Sequence, residues 1–363
     1  MIAVATRAKM KQTQRFPAET IKRFTGGVFE TIGLPAADAA TVAHDLVEAD
    51  LRGLASHGVA RIPIYLRRIR EGVVNPQPNI TVEKITPVAV RINGDDGMGF
   101  LATRRAMAEA TDIAREFGIG LAAVHRSTHF GMAALYVQQA IAEGCIGLVF
   151  TTSSSAIPVW GGRTPFLGAA PLAAGAPGRR GPGFLLDMAM TVVARGKIRL
   201  AAQRGESIPE GLALDAEGRP TTDARAAFEG VCLPFGGPKG AALSMLMDVL
   251  AGLFTGADHA GDVNSLYFDF SAPQNVGHLV LAMKPGLFVG EDTFRDRMDE
   301  MTDRIKALPR AAGFDEILIP GEPEERHRVE NLRHGIPITD DVLAQLREEA
   351  AALHVPFPEA PAS

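Results

Sequence analysis

Apolar residues near the start of the chain recur three and four positions apart, the spacing of helices with one buried face. The pattern predicts helices over Phe16–Gly33 and Ala36–Leu51. A third helix is predicted to begin at Ser56, whose side chain would act as its N-cap, and to continue to Val73. The proline-containing segment 75–78 then ends the helical pattern.

From Ile80 onward, short apolar runs alternate with helical patterns, so the sequence predicts a mixed α/β region. The predicted strands are Ile80–Ile85, Val88–Ile92, Ile119–Val124, Ile146–Phe150, Phe184–Met188 and His278–Met283. The predicted helices are Leu101–Phe117, Met132–Glu143, Arg195–Arg204, Ala241–Phe254, Thr293–Leu308 and Asp340–Leu353.

The composition narrows the class of protein. Of the 363 residues, 46% are apolar and 22% are charged, as in ordinary globular proteins, and the length allows two or three domains. The formal net charge of −5 argues against a nucleic-acid partner, which would require a clustered basic surface.

The location expected for the chain is the cytoplasm. Cys145 and Cys232 lie in apolar surroundings and are interpreted as reduced core residues. Residues Met1–Gln14 contain basic groups but no apolar stretch of signal-peptide length. No run approaches the roughly 20 apolar residues of a membrane span, so no membrane association is expected.

The first group of candidate site residues follows Ser56. On the predicted helix, His57, Arg61 and Tyr65 are four positions apart and share one face. A proton donor, a guanidinium group and a phenol could together hold a 2-oxo acid, because arginine binds carboxylates bidentately. The alternative is a capped helix with a solvated arginine.

The second group is the segment from His125 to Gly131, directly after a predicted strand. His129 is well placed there as a general acid, although a hydrogen-bonded structural histidine has the same spacing. A zinc site would need further ligands, so no metal is expected.

Two glycine-containing segments are similar to nucleotide-binding motifs. Gly118–Ala123 matches G-x-G-x-x-A by letter, but it ends a helix and starts a strand, the reverse of the dinucleotide fingerprint. Gly236-Gly237-Pro238-Lys239-Gly240 opens a helix, where backbone amides and a lysine favour phosphate. A simple tight turn is the alternative. Gly240 in place of Ser or Thr excludes the Walker pattern and disfavours a phosphotransferase.

Two acidic residues have both a functional and a structural interpretation. Asp187, at the end of a predicted strand, could orient a catalytic histidine or bind a ribose hydroxyl, or it could cap a helix. Glu322, in the turn at 319–323, could bind a ribose or an amide, or have no role.

These motifs and several others follow one another in a characteristic order over about residues 16 to 353, and this order resembles that of the type-2 malate/L-lactate dehydrogenase family. The family includes ureidoglycolate and sulfolactate dehydrogenases, diketogulonate reductase and the piperideine- and pyrroline-2-carboxylate reductases. The motifs are Ser56-His57-Gly58 with Arg61 and Tyr65, His129-Phe130-Gly131, Asp187-Met188-Ala189, Val193-Ala194-Arg195-Gly196-Lys197, Pro209-Glu210-Gly211, Pro234-Phe235-Gly236-Gly237 with Lys239-Gly240, and Pro320-Gly321-Glu322.

The resemblance implies a non-Rossmann α/β fold, with a mixed central sheet and a helical domain formed by the N- and C-terminal segments. Residues 16–78 and about 290–355 would form this helical domain and supply substrate and dimer contacts. Residues 79–289 would form the NAD(P)-binding domain. The protein would transfer a hydride between NAD or NADP and C2 of a small 2-oxo or 2-hydroxy acid, and a homodimer is expected.

The resemblance also implies residue roles. His129 would be the catalytic acid/base, supported by His57 with Ser56 and by Asp187, while Arg61, with Tyr65, would bind the substrate. The cofactor would be lined by Ser153, Asp187, Met188, Ala189, Lys239, Gly321 and Glu322.

The chain departs from the family pattern at several positions, among them Ala170 for Asn, Met190 for Thr, Leu212 for Trp, and Pro238 for an aromatic residue or His. The run Lys239–Ser244 looks more like the branch that reduces cyclic imino acids. A reductase of cyclic 2-imino acids and an inactive metabolite-binding homologue are therefore the alternatives.

Overall fold

The computed structural model describes residues 13–181 and 183–359. The expectations for the first residues of the chain, before Thr13, lie outside this range. The chain divides into two compact units. Unit 1 consists of the residues up to Arg67 together with those from Glu324 onward, and unit 2 consists of Arg68–Pro323.

Strands and helices alternate through most of the chain. The strands are β1 (Thr13–Phe16), β2 (Thr81–Thr86), β3 (Ala89–Asn93), β4 (Ile119–Ser127), β5 (Ile146–Thr151), β6 (Ser155–Ile157), β7 (Leu167–Gly168), β8 (Pro171–Ala176), β9 (Phe184–Ala189), β10 (Ala213–Leu214), β11 (Val231–Cys232), β12 (Val276–Met283) and β13 (Ile336–Thr339). The helices are α1 (Ala18–Thr31), α2 (Ala36–Leu51), α3 (Ile62–Arg70), α4 (Gly99–Phe117), α5 (Ala134–Ala142), α6 (Arg195–Arg204), α7 (Ala224–Glu229), α8 (Pro238–Met247), α9 (Gly286–Val289), α10 (Glu291–Lys306), α11 (Glu322–His334) and α12 (Asp340–Ala352).

Unit 1 is mainly helical. Helices α1 and α2 pack against each other and bury apolar residues spaced along one face, such as Phe24 and Val28 of α1 and Leu46 of α2. Strand β1 pairs antiparallel with β13, so that Phe16 lies opposite Ile336. This pairing joins the start of the described chain to its C-terminal part.

Unit 2 is built on a seven-stranded sheet of order β2-β3-β4-β12-β5-β8-β9. Only β3 and β4 pair in parallel, so the sheet is mixed, as predicted. Helix α4 lies against β4 and β12. A Cβ on Gly120 would lie 2.0 Å from the carbonyl oxygen of Ala110, so glycine permits this close approach of helix and strand.

The segment Gly118–Ala123, which matches the dinucleotide fingerprint by letter, lies between a helix and a strand, as predicted. Gly118 ends α4 in a left-handed conformation with φ of 88°, and β4 follows at Ile119. The segment therefore runs from helix to strand and does not form a Rossmann phosphate loop. Among the described residues, no helix is long and apolar enough to cross a membrane.

Candidate functional site

The segment that carries His57 is a pair of short 3₁₀ turns, so the prediction of one continuous helix from Ser56 is wrong. The turns comprise Ala55–His57 and Val59–Arg61, and α3 begins only at Ile62. The extended conformation of Gly58 separates the turns. Ser56 lies inside the first turn, whose N-cap is Leu54, so the prediction that Ser56 is an N-cap is also wrong; its Oγ lies 3.0 Å from Nδ1 of His57.

His57, Arg61 and Tyr65 nevertheless affect one another electrostatically. Burial, and then the charge of Arg61, lower the pKa of His57 to about 4, so this imidazole is neutral at pH 7. Burial raises the pKa of Tyr65, and Arg61 partly opposes that rise. Arg61 also donates from Nε to the carbonyl oxygen of Ser56 at 2.5 Å. The segment thus combines a guanidinium group with a neutral imidazole.

Asp50 supports this segment and was not singled out from the sequence. Its carboxylate accepts the backbone N–H of Val59 at 2.8 Å, and only 5% of the residue is exposed. A Cβ on Gly58 would lie 2.1 Å from the same carboxylate. An acidic residue in the last turn of a helix opposes the helix dipole, which is the signal that could have drawn attention to it.

In unit 2, His129 follows the end of β4. Its Nδ1 accepts the backbone N–H of Gly131 at 3.3 Å, and its own backbone N–H donates to Oε1 of Gln274 at 3.4 Å. A neutral imidazole that accepts at Nδ1 carries its proton on Nε2. The half-buried His129 ring therefore presents an N–H donor at Nε2.

Asp187 lies in β9 and contacts the segment that follows His129. Its Oδ2 accepts the backbone N–H of Ala134, the first residue of α5, at 2.8 Å. Asp187 therefore caps helix α5, which is the structural role that the sequence left open, and it does so from strand β9. The same contact brings the Asp187 carboxylate close to the residues that connect β4 to α5.

The end of β9 is connected to the lysine-containing glycine turn. Met190 directly follows β9, is fully buried, and accepts the backbone N–H of Phe235 at 3.0 Å. Gly236 and Gly237 then adopt positive φ angles of 59° and 63°, and Lys239 is exposed in the first turn of α8. The free first-turn amides of a helix and an ammonium group favour an anion at this point.

Ser153 lies close to Gly168, which in turn is hydrogen-bonded to helix α8. A Cβ on Gly168 would lie 2.5 Å from Oγ of Ser153, and Ser244 of α8 donates to the carbonyl oxygen of Gly168 at 2.7 Å. Ala170, one of the departures from the family pattern, is only 1% exposed.

The turn that contains Gly321 and Glu322 lies against β9. Gly321 has φ of 95°, and a Cβ on it would lie 2.8 Å from Cβ of Leu185. The carboxylate of Glu322 already accepts the backbone N–H of Ile319, at 3.0 Å, and bonds Lys306. Glu322 therefore stabilises its own turn, whatever else it binds.

The candidate residues thus fall into two groups. Unit 2 contains His129, Asp187, Met188, Ala189, Ser153, Lys239, Gly321 and Glu322, which the contacts above place on connected segments. Unit 1 contains Ser56, His57, Arg61 and Tyr65. Within residues 13–181 and 183–359, no three His, Cys, Asp or Glu side chains are grouped as metal ligands would be.

Curated relatives match over nearly the whole chain. The chain is 37% identical over 333 residues to L-sulfolactate dehydrogenase of Methanocaldococcus jannaschii, covering 91% of this chain and 94% of that protein. It is 34% identical over 332 residues to ureidoglycolate dehydrogenase (NAD(+)) of Escherichia coli, covering 92% and 95%. It is 35% identical over 325 residues to (2R)-3-sulfolactate dehydrogenase (NADP(+)) of Chromohalobacter salexigens, covering 89% and 94%.

Solved structures have the same fold. Sulfolactate dehydrogenase of Methanocaldococcus jannaschii superposes with a TM-score of 0.89 at 36% identity, over 95% of this chain and 98% of that one. Δ1-Piperideine-2-carboxylate reductase of Pseudomonas syringae superposes with a TM-score of 0.84 at 29% identity, over 93% and 100%. Together with the relatives, these matches identify the chain as an oxidoreductase.

The family model for malate/L-lactate dehydrogenase matches residues 16–347. The chain belongs to this family, and the fold class and family resemblance expected from its motifs are confirmed.

Proposed function

We propose that this protein transfers a hydride between a nicotinamide cofactor and C2 of a small 2-oxo or 2-hydroxy acid. The observation that carries the proposal is the state of His129. Because Nδ1 accepts from Gly131, the neutral ring offers an Nε2–H to the substrate oxygen at C2. Full transfer of a proton to that oxygen uses the imidazolium form of His129, which becomes the neutral ring. In the oxidative direction the neutral ring accepts the hydroxyl proton at Nε2 when its own proton is on Nδ1, a tautomer in which Nδ1 no longer accepts from Gly131.

The residues of unit 1 would bind and orient the substrate. The guanidinium of Arg61 pairs with the substrate carboxylate. Tyr65 is buried, and the charge of Arg61 acts on its phenol. His57 is neutral because of its lowered pKa of about 4 and is bonded to Ser56, so the pair donates or accepts hydrogen bonds without adding charge.

The residues of unit 2 fit a nicotinamide dinucleotide. The start of α8 and Lys239 provide the amides and the positive charge that a diphosphate requires. Met188 and Ala189 of β9, Ser153 and the turn at Gly321 and Glu322 would line the rest of the cofactor. When bound, the cofactor supplies or receives the hydride. The relatives include an NAD(+)-dependent ureidoglycolate dehydrogenase and an NADP(+)-dependent sulfolactate dehydrogenase, so both cofactors are candidates.

The division of roles follows the expected domains. We assign cofactor binding to residues 79–289, and substrate and dimer contacts to residues 16–78 with about 290–355. Cytoplasmic location is supported by the two buried, unpaired cysteines, Cys145 and Cys232. The homodimer rests on the family resemblance.

A reductase of cyclic 2-imino acids is the second candidate. It is supported by the similarity to Δ1-piperideine-2-carboxylate reductase and by the run Lys239–Ser244. In that reaction His129 would protonate the imine nitrogen in place of a carbonyl oxygen.

A substrate panel tests the proposal. Oxaloacetate, pyruvate, 3-sulfopyruvate, pyrroline-2-carboxylate and piperideine-2-carboxylate are each mixed with the protein and NADH or NADPH, and loss of absorbance at the reduced nicotinamide band is followed. We expect turnover of at least one 2-oxo acid with one cofactor preferred. Turnover of the imines alone would replace the first candidate by the second. Cofactor binding without any turnover would contradict both.

The role of His129 is tested by His129→Ala. General acid catalysis contributes about 10²–10⁴ in rate, so kcat should fall by that factor while the Kd for the cofactor stays within about twofold. His125→Ala, four residues earlier in β4, is the matched control and should leave kcat nearly unchanged. Equal losses in the two variants would remove His129 from the acid/base role.

A further inference from the structure

His278 lies in the centre of the sheet and is fully buried. It belongs to β12, between β4 and β5. A buried histidine needs partners at both ring nitrogens, because an unpaired polar atom in the core is unfavourable. None of the sequence motifs includes it.

Both ring nitrogens of His278 are hydrogen-bonded. Nε2 lies 2.9 Å from Oγ of Ser127, the last residue of β4, and Nδ1 lies 2.8 Å from Oγ1 of Thr151, the last residue of β5. Burial lowers the pKa of His278 to about 3, so the ring is neutral, with one nitrogen donating and the other accepting. One imidazole therefore ties together the ends of three adjacent strands.

The face of the same ring supports the residue that follows His129. The rings of His278 and Phe130 are stacked, with centroids 4.6 Å apart and planes 3° from parallel. Phe130 in turn stacks on Tyr136 at 5.1 Å, and the Tyr136 hydroxyl donates to the carbonyl oxygen of Phe130 at 2.5 Å. His278 thus contacts Ser127 by an edge and Phe130 by a face.

These two contacts flank His129 on both sides in the chain. We propose that His278 is a positioning residue for His129, holding the backbone at 127 and 130 so that the His129 ring keeps its orientation. The inference rests on the proposed function of His129. It goes further by making the acid/base group depend on a residue about 150 positions away in the chain.

The size of the effect follows from how sharply proton transfer depends on geometry. A displacement of about 1 Å at a reacting group lowers rates by about 10²-fold. Loss of the Nε2 contact would remove one of the two contacts by which His278 holds the segment 127–130, and loss of the Nδ1 contact with Thr151 would let the ring at 278 shift beneath Phe130. His278→Phe should therefore lower kcat while leaving cofactor binding intact.

The test is a double-mutant cycle that measures kcat and cofactor Kd in wild type, His278→Phe, His129→Ala and the double variant. We expect His278→Phe to lower kcat by about 10²-fold alone, and by less than about threefold in the His129→Ala background. Val280→Ala is the matched control, since Val280 lies on the same face of β12 and is fully buried. It should change kcat by less than about threefold in either background.

An equal loss of kcat in both backgrounds would show that His278 acts only through general stability and would overturn the proposal. Ser127→Ala removes the Nε2 partner from the other side and replaces His278→Phe if that variant does not fold. If wild type turns over no panel substrate, the proposed function has failed, and the positioning role is read from ¹⁵N spectra of the His129 ring. His278→Phe should then convert the single Nε2–H tautomer into a mixture, and an unchanged tautomer would refute it.

Discussion

At the scale of single residues, Asp50 in unit 1 is a buried carboxyl group with a strongly raised pKa. Burial raises its pKa to about 7, and the hydrogen bond from Val59 opposes the rise only in part. Its carboxylate also fills the space that a side chain at Gly58 would need. Ionisation of Asp50 is therefore unfavourable in the folded protein, although its carboxyl group holds the His57 segment through Val59.

The variants Asp50→Asn and Asp50→Ala distinguish two effects of Asp50 on stability, which are the hydrogen bond that it accepts from Val59 and the cost of burying its negative charge. The asparagine keeps an oxygen for the Val59 N–H and has no charge to bury, so its unfolding free energy should equal or exceed that of wild type at pH 8. The alanine leaves the N–H without that acceptor and should lose about 1–3 kcal/mol. Urea titrations at pH 5 and pH 8 measure both variants.

The pH dependence of that comparison has a defined sign. Between pH 4 and pH 7 the folded protein binds a proton at Asp50 that the unfolded chain has lost, so Asp50 makes wild-type stability fall as pH rises. The advantage of the asparagine over wild type should therefore grow from pH 5 to pH 8. An advantage that shrinks over this range would show that Asp50 is not a destabilised carboxylate.

At the scale of elements, Asp187 connects β9 to α5 in the way that a helix cap does. Asp187→Ala should lower the unfolding free energy by about 1 kcal/mol, because the first amide of α5 loses its acceptor. Asp187→Asn keeps an acceptor and should retain most of the stability.

Activity then distinguishes the two roles of Asp187. If its negative charge supports proton transfer, Asp187→Asn should lose kcat despite its near-normal stability. Full activity of the asparagine variant would leave Asp187 with the capping role alone. Melting temperature and kcat, measured on the same preparations, decide between these outcomes.

The elements that were predicted correctly have strong local signals. Helix α2 has the predicted bounds Ala36–Leu51, and β4, β5 and β9 each begin at the predicted residue and end one to three residues later. Strand β8 was missed because Pro171–Ala176 contains only small residues, leucine and proline, without the β-branched side chains typical of strands. The Gly58 segment was misassigned because helical spacing alone does not distinguish an α-helix from successive 3₁₀ turns.

At the scale of the whole molecule, the half-buried His57 and the fully buried His278 make stability depend on pH. The pKa of His57 is lowered to about 4 and that of His278 to about 3, mainly by burial. Below pH 6.5 the unfolded chain binds protons at these residues and the folded chain does not, so the folded state loses stability as pH falls. Asp50 acts in the opposite direction over part of this range.

His278→Phe isolates one of these contributions. Each such histidine contributes a slope of about 1.4 kcal/mol per pH unit, so the variant should lose less stability than wild type between pH 6.5 and pH 4. Val280→Ala removes core volume without a titrating group and should keep the wild-type slope. Parallel profiles for wild type and His278→Phe would show that folding does not lower the pKa of His278.

The family, the alternation of strands and helices, and the residues with the right chemistry can be predicted from the amino-acid sequence, because they depend on local spacing and short motifs. The folded chain was needed to find that the His57 segment is two turns held by Asp50, that Asp187 caps α5, and that His278 supports the segment of His129. The reason is physical: each of these contacts joins positions that are distant in the chain or buried by packing, and the periodicity of side chains does not encode such neighbours.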